Sequence, residues 1–253
     1  MNKETVSSFL EEKVLQYQQP QFIISDPIQI PYLFSKKEDI EISAFIAATL
    51  SWGNRKSILK SANAFMEFMD HAPHEFIINA TENDYKSLSN FKHRTFNGED
   101  ARLFCQSLKN IYLNHGGLEN VFFTDPDCSL QENISLFKTI FFNIPHPQRT
   151  TKHVSDPLKG SAAKRINMYL RWMVRDHSQK VDFGIWSKIK PSQLSCPLDV
   201  HSGRVARKLG LLNRKQNDGK AVTELDNSLR LLDPTDPVKY DFALFGLGVF
   251  EGF

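Results

Sequence analysis

Hydrophobic residues recur along most of this chain at intervals of three and four positions, which is the spacing of an α-helix that buries one face. Residues 39–52 are an example, with Ile42, Phe45, Ile46 and Leu50 on one stripe. The same spacing predicts helices over residues 3–17, 55–70, 73–79, 83–88, 98–115, 117–123, 130–143, 162–176, 183–188, 201–210, 220–231 and 236–247. No run alternates between apolar and polar residues for long enough to indicate a sheet. The pattern therefore predicts an all-α fold.

Composition is that of an ordinary globular protein from a reducing compartment. The 253 residues, 41% hydrophobic and 24% charged, suffice for one large domain or two smaller ones. Cys105, Cys128 and Cys196 form no Cys-x-x-Cys pair, so we expect no disulfide framework and no zinc or iron–sulfur site. The first twenty residues lack a signal-peptide pattern, and no stretch approaches the ~18 apolar residues that cross a bilayer. We expect a cytoplasmic protein with no membrane partner.

The formal net charge of +2 conceals an uneven distribution of charged residues. Residues 151–220 contain 15 Lys or Arg and 5 Asp or Glu, whereas the rest of the chain contains 16 basic and 24 acidic residues. The segment therefore carries +10 and the remainder −8. A random fluctuation solvated by water is the simpler explanation. A surplus of this size nevertheless favours a nucleic-acid partner and predicts one continuous basic face.

Two stretches of this basic segment carry candidate chemistry. In PLDVHSGRVARKLGLL, residues 197–212, Asp199 lies two positions before His201, and three cations of the following helical pattern lie off its apolar face. The simpler interpretation is that Asp199 or Ser202 caps this helix and that the cations are solvated.

The second stretch is KGSAAKRINMYLRWMVRD, residues 159–176, which joins a Gly160-Ser161 turn to a helical pattern. On a helical wheel Lys164, Arg171 and Arg175 fall on one line, opposite an apolar face. An amphipathic surface helix is the simpler interpretation. The functional one is a phosphate bound at the helix N-terminus, with Lys164 facing the same ligand.

Together the two stretches resemble the catalytic region of a DNA-repair superfamily. Gly160-Ser-Ala-Ala-Lys164-Arg-Ile-Asn167 is similar to the G-x-G-x-K-x-A-N pattern of a helix–hairpin–helix element. Leu198-Asp-Val-His-Ser-Gly-Arg-Val205, followed by Arg207-Lys-Leu-Gly210, resembles the V-D-T-H-x-x-R-V…R-L-G motif of endonuclease III-type DNA glycosylases. Ala162 stands where the second glycine of the hairpin is usual, and no iron–sulfur cysteine cluster follows the last helix.

The resemblance extends in outline to the rest of the chain. Lys164 and Asp199 are 35 residues apart, close to the spacing in the archaeal 8-oxoguanine glycosylase branch. FIAATLSWGN and DPTDPVKYDFALFGLG resemble an upstream helix and the last helix of the superfamily. The chain is also similar to a bacterial family of unknown function that shares KRxNMxLRWMVR and PLDVHxGRVARKLGLL.

The resemblance implies roles for individual residues, with Lys164 as the nucleophile and Asp199 as the essential carboxylate. It implies DNA contacts for Gly160, Ser161, Ala162, Arg165, His201, Arg204 and Arg207, with Lys152 and Lys159 as further phosphate contacts. Candidates for a base pocket are Trp52, Asn54, Trp172, Phe183 and Trp186, although aromatic residues at helical spacing more often pack in a core. We expect no cofactor and no metal ion, since no second ligand lies at helical spacing from His201.

The resemblance further implies two helical lobes with a helix–hairpin–helix element and a cleft between the lobes. We expect residues 1–253 to form a single two-lobed unit, with about 40–145 in the first lobe and with 1–39 and 146–253 in the second. The expected partner of this monomer is double-stranded DNA with a flipped damaged base, in the cytoplasm at the nucleoid.

Three functions are compatible with these sequence features. The leading one is a DNA glycosylase/AP lyase that excises a damaged base, such as an oxidised purine, through a lysine Schiff base. The alternative is a helix–hairpin–helix DNA-binding protein without catalysis, which needs neither Lys164 nor Asp199 at this spacing. A third is an interaction module whose basic patch binds an acidic protein.

Overall fold

The computed structural model describes residues 3–253, which are mostly helical, as the hydrophobic pattern predicts. Twelve α-helices within these residues are α1 Lys3–Tyr17, α2 Lys37–Leu50, α3 Arg55–Phe68, α4 Pro73–Asn79, α5 Asp84–Ser87, α6 Gly98–Asn114, α7 Leu118–Val121, α8 Leu130–Phe141, α9 Lys164–Val174, α10 Val200–Lys208, α11 Gly219–Arg230 and α12 Tyr240–Phe250. None of the described helices has the length and apolar character needed to span a bilayer.

Two short regions differ from the predicted pattern. Residues 183–188 form no helix, so that prediction is wrong: Phe183 N and Trp186 N donate instead to the carbonyls of Trp172 and Met173 at the end of α9. The strands β1 Lys92–His93 and β2 Phe96–Asn97 form an antiparallel hairpin. Strands of two residues leave no alternation for the pattern to show.

The chain divides into two compact units. The first unit consists of Met1–Ile24 and Asp156–Phe253, and the second consists of Ser25–Ser155. The first unit therefore holds α1 and α9 to α12, together with both candidate stretches of the basic segment. The second unit holds α2 to α8 and the β-hairpin.

Helix α12 is the centre of the first unit, and its sequence YDFALFGLGVF is apolar on almost every side. Helices α1 and α10 both pack against it. A Cβ added at Gly246 would lie 2.3 Å from the ring of Tyr17, so a glycine is needed where α1 crosses. On the α10 side, Gly248 lies against His201, where an added Cβ would be 3.0 Å from the backbone oxygen. This packing fixes the start of α10 relative to α12.

A buried ion-pair network ties α9 to the rest of the first unit. Arg171 and Arg175 share Asp182, at 3.3 and 2.6 Å, and they pair separately with Asp241 and Asp236. The interpretation of α9 as an amphipathic surface helix is therefore wrong, because the two arginines opposite its apolar face are buried as well. Acidic partners distant in sequence neutralise them and allow burial.

Phenylalanine rings dominate the core of the second unit. The ring of Phe45 on α2 lies 5.9 Å from Phe104 on α6 and 5.6 Å from both Phe137 and Phe141 on α8. These contacts join three helices whose apolar stripes the sequence predicts.

Candidate active site at two helix N-termini

A tight turn precedes α9 and fixes where that helix begins. Gly160 has a φ of +84°, with open space around its Cα. The Ser161 hydroxyl accepts a hydrogen bond from Ala163 N at 3.1 Å, and Ala163 itself has a φ of +45°. Because a left-handed residue cannot continue a helix, α9 begins at Lys164, two residues later than predicted. Lys164 is therefore the first residue of α9.

The carboxylate of Asp199 caps α10. Its Oδ1 accepts from the backbone N–H of His201 at 2.8 Å and of Ser202 at 3.0 Å. The Ser202 hydroxyl in turn accepts from Asp199 N at 2.9 Å, which completes a capping box. The capping interpretation of this segment is confirmed.

Capping leaves the second carboxylate oxygen of Asp199 for another partner. Asp199 Oδ2 lies 3.5 Å from Lys164 Nζ. The two side chains are 17% and 30% exposed, so both are largely shielded but still reach solvent. The structure thus brings together a primary amine and a carboxylate that are far apart in sequence, each at the N-terminus of a helix.

The same two helix starts present unsatisfied backbone donors. The N–H groups of Ala162, Lys164 and Val200 have no hydrogen-bond partner in the part of the chain that the structure describes. Helix N-termini carry a partial positive charge that favours anions. The arrangement therefore offers an amine, a carboxylate and an anion-binding surface in one place. Among residues 3–253, no three His, Cys, Asp or Glu side chains are grouped as metal ligands.

Sequence analysis missed one carboxylate beside this pair. Asp241 on α12 is buried, and burial raises its pKa above the usual range, an effect that the charge of Arg171 opposes and the charge of Asp199 reinforces. Asp241 is the single charged residue of an otherwise uncharged, apolar helix, and that isolation was the available signal.

The residues predicted to contact DNA have different surroundings. Arg204 is exposed, and its guanidinium donates to the carbonyls of Gly248 and Phe253. Arg207 donates to the carbonyl of Arg214 at 2.7 Å and to Asn217 at 2.6 Å. Both arginines thus hold backbone segments around α10, and a DNA contact would use their remaining N–H groups.

Three other predicted contact residues flank the two helix starts in the sequence. His201 is exposed one residue after the α10 start. Lys159 is 80% exposed beside the Gly160 turn. Arg165, which follows Lys164 directly, is half-buried, and burial lowers its pKa to about 10.

The predicted base-pocket residues are not brought together around Lys164 within the first unit. Trp172 is completely buried, and Trp186 packs edge-on against Tyr169 at 5.4 Å, as core side chains do. The packing alternative therefore applies to both tryptophans. Phe183 is half-buried.

Trp52 and Asn54 belong to the second unit. The ring of Trp52 is half-buried and stacks on His153 at 5.8 Å, with His93 edge-on at 5.0 Å. Asn54 caps α3 by accepting from Ser57 N at 3.3 Å. Lys152, a predicted phosphate contact, is exposed in this unit.

Comparison with curated proteins and with solved structures returned no match. One family model matches, over residues 26–250, and this range includes both helix starts of the candidate site. The chain belongs to the family described as "Protein of unknown function (DUF2400)".

Proposed function

We propose that this protein is a DNA glycosylase/AP lyase that excises a damaged base through a Schiff base on Lys164. The observation that carries the proposal is the 3.5 Å approach of Lys164 Nζ to Asp199 Oδ2 at two adjoining helix starts. An amine and a carboxylate in this relation provide the two groups that cleavage of an N-glycosidic bond and its covalent capture require.

Asp199 is the electrostatic partner of the breaking bond. As the base departs with the bonding electron pair, positive charge develops on C1′ and the ring oxygen of the sugar. A fixed carboxylate beside the sugar stabilises that charge without reorganising. The capping bonds to His201 N and Ser202 N hold Asp199 in one orientation, so Oδ2 stays directed at Lys164.

Lys164 is the nucleophile. Its neutral amine donates a lone pair to C1′, the Nζ–C1′ bond forms, and the C1′–base bond breaks, while the attacking nitrogen loses one proton and the departing base takes one up. Opening of the sugar then gives a Schiff base. Loss of a C2′ proton from this adduct forms a C2′–C3′ double bond and breaks the C3′–O bond, so the 3′ phosphate leaves and the strand is nicked.

The surface around the pair suits a phosphate backbone. The amides of Ala162, Lys164 and Val200 supply uncharged donors, and Lys159 supplies an exposed cation. The damaged nucleotide must leave the base stack to reach Lys164, at a cost of a few kcal/mol that is smallest for a lesion. A DNA-binding protein without catalysis could use the same amides, and the test below separates the two functions.

The test is base excision by Asp199→Asn. Asparagine keeps an oxygen that can accept from His201 N and Ser202 N, so the cap survives and the free energy of unfolding changes by about 1 kcal/mol or less. Loss of the charge should slow excision from a lesion-containing duplex about 100-fold or more. Nicking of a preformed abasic site should fall far less, because no base has to depart.

Asp218→Asn is the matched control, because Asp218 caps the neighbouring helix α11 by accepting from Ala221 N at 3.1 Å. This variant should excise like wild type. Wild-type excision rates in Asp199→Asn would refute the role of the carboxylate. Duplex binding without excision of any lesion in a panel would leave the non-catalytic DNA-binding protein.

A further inference from the structure

The loop between α10 and α11, residues 213–218, has a defined conformation although most of its side chains are exposed. Arg207 near the end of α10 holds the loop from one side, because its Nε donates to the carbonyl of Arg214 at 2.7 Å. From the other side, Glu224 on α11 accepts from the backbone N–H of Asn213 at 2.6 Å. These hydrogen bonds bring the loop back to the beginning of α10.

Asn217 in this loop contacts Asp199 directly. Its Nδ2 donates to the backbone carbonyl of Asp199 at 2.8 Å, and its Oδ1 accepts from Arg207 Nη2 at 2.6 Å. A guanidinium can only donate and a carbonyl can only accept, so the amide of Asn217 has one orientation. Asp199 is therefore held at its backbone carbonyl as well as through the carboxylate that caps α10.

Gly203 on α10 leaves the space that this contact needs. A Cβ added at Gly203 would lie 2.8 Å from Asn217 Oδ1 and 3.0 Å from Arg207 Nη1. The backbone of Gly203 is helical and has no positive φ, so its conformation does not require a glycine. Glycine is less favourable than alanine inside a helix. The close approach of the Asn217 amide is what requires a glycine at this position.

The same segment also contacts the turn before α9. Gly219, the first residue of α11, donates from its backbone N–H to the carbonyl of Gly160 at 2.9 Å. A Cβ added at Gly219 would lie 3.3 Å from the carbonyl oxygen of Ser161, so the two backbone segments are in close contact. Residues 217–219 therefore connect this turn to the backbone of Asp199.

We propose, on the basis of the function proposed above, that Asn217 positions Asp199 against Lys164 for the chemical step. Asn217 is a positioning residue, since it acts through the backbone of Asp199. Capping fixes Asp199 relative to α10, whereas the contacts of residues 217–219 fix the beginning of α10 relative to the turn before α9. The separation of 3.5 Å between Lys164 Nζ and Asp199 Oδ2 depends on this second restraint. Misplacement of a reacting group by about 1 Å can slow a reaction about 100-fold.

Single-turnover base excision by Asn217→Ala, with the protein in excess over a lesion-containing duplex, tests the proposal. The rate constant should fall about tenfold to 100-fold, because Asp199 loses the restraint on its backbone. The amplitude of the reaction and the affinity for the duplex should stay near those of wild type. A purely structural role would reduce the fraction of active protein, so the amplitude would fall and the rate constant would not. That result, or a wild-type rate constant at full amplitude, would overturn the proposal.

Asn213→Ala is the matched control, because it truncates the other asparagine of the loop. The hydrogen bond of Asn213 to Glu224 comes from its backbone N–H, which alanine keeps. Asp218→Asn also leaves the two connecting contacts in place, since the Asp218 carboxylate accepts from Arg214 Nε and Ala221 N. Both variants should excise at the wild-type rate. A fall in the rate constant of Asn213→Ala equal to that of Asn217→Ala would contradict a specific role of Asn217.

Gly203→Ala provides a second test that displaces the Asn217 amide without removing it. The added Cβ would occupy the space in which Asn217 Oδ1 lies. Alanine favours a helix over glycine, so the urea midpoint of this variant should stay near that of wild type. The rate constant of excision should nevertheless fall several-fold. An unchanged rate constant in Gly203→Ala would contradict the proposal.

A DNA-free measurement distinguishes this inference from the proposed function. A water-soluble carbodiimide joins a lysine amine to a carboxylate in contact with it through an amide bond, while the reagent takes up the water and leaves as a urea. The yield of the Lys164–Asp199 crosslink, quantified by peptide mass spectrometry, should fall in Asn217→Ala and not in Asn213→Ala. That result without excision of any lesion by wild type would refute the proposed function but keep the positioning role. Excision by wild type, with equal rate constants and crosslink yields in Asn217→Ala, would do the reverse.

Discussion

Asp226 is the residue whose replacement has the most sharply defined effect on stability. It lies buried on α11, where its Oδ1 accepts from the backbone N–H of Cys196 at 2.9 Å and Arg230 Nη1 is 3.8 Å from its Oδ2. Burial raises the pKa of Asp226 from 3.8 to about 6. The segment that it holds leads directly into Asp199.

The sign of the effect follows from this raised pKa. The folded protein binds the Asp226 proton more tightly than the unfolded chain, so ionisation costs the folded state stability as the pH rises from about 4 to about 6. The difference between the two pKa values corresponds to about 3 kcal/mol, which is lost above pH 6. Asp226→Asn stays neutral and keeps an acceptor for Cys196 N. The variant should therefore gain about 3 kcal/mol relative to wild type between pH 4 and pH 8.

Urea denaturation of wild type and Asp226→Asn at pH 4, 5, 6, 7 and 8 measures this difference. The Asp218→Asn protein is a control of opposite sign, because the Arg214 side chain holds the pKa of Asp218 below its usual range. The free energy of unfolding of Asp218→Asn relative to that of wild type should therefore fall as the pH rises. A constant difference between Asp226→Asn and wild type from pH 4 to pH 8 would show that burial does not raise the pKa of Asp226 in the folded protein.

Two further predictions concern binding and packing. If the protein binds six or more phosphates, its affinity for a DNA duplex should fall by roughly 10³-fold between ~50 and ~200 mM salt. An electrophoretic or anisotropy titration measures this affinity. An affinity that does not change with salt would argue against DNA as the partner. Gly246→Ala should lower the free energy of unfolding by about 1–3 kcal/mol, because the added Cβ would lie 2.3 Å from the Tyr17 ring. The loss should outweigh the preference of alanine for a helix. A gain in stability would contradict the close crossing of α1 and α12.

Local patterns predicted most helices of the fold closely. Helix α11 is predicted over 220–231 and lies at Gly219–Arg230, because its apolar stripe and its Asp218 cap are both encoded locally. Residues 183–188 have helical spacing too, but Asp182 pairs there with Arg171 and Arg175, and the following backbone bonds to the end of α9. A pattern read along the sequence does not include such tertiary partners.

The candidate site likewise has some features that are encoded locally in the sequence and others that depend on tertiary contacts. The sequence places Asp199 at a helix start, since a capping residue is a local signal. It does not place Lys164 at the first position of α9, because that depends on the left-handed conformation of Ala163. The burial of Arg171 and the position of Asp241 depend on packing between helices that are distant in the chain. The roles assigned through the glycosylase resemblance remain predictions.

Borohydride trapping on abasic and lesion-containing duplexes by wild type, Lys164→Gln and Lys180→Gln measures directly whether Lys164 is the nucleophile. Lys180 is an exposed lysine of the same basic segment, so its variant matches the change in charge. Wild type and Lys180→Gln should form a covalent DNA adduct, whereas Lys164→Gln should form none and keep duplex affinity within a few-fold of wild type. Trapping by Lys164→Gln at the wild-type level, or no trapping by wild type on any of these duplexes, would contradict the account.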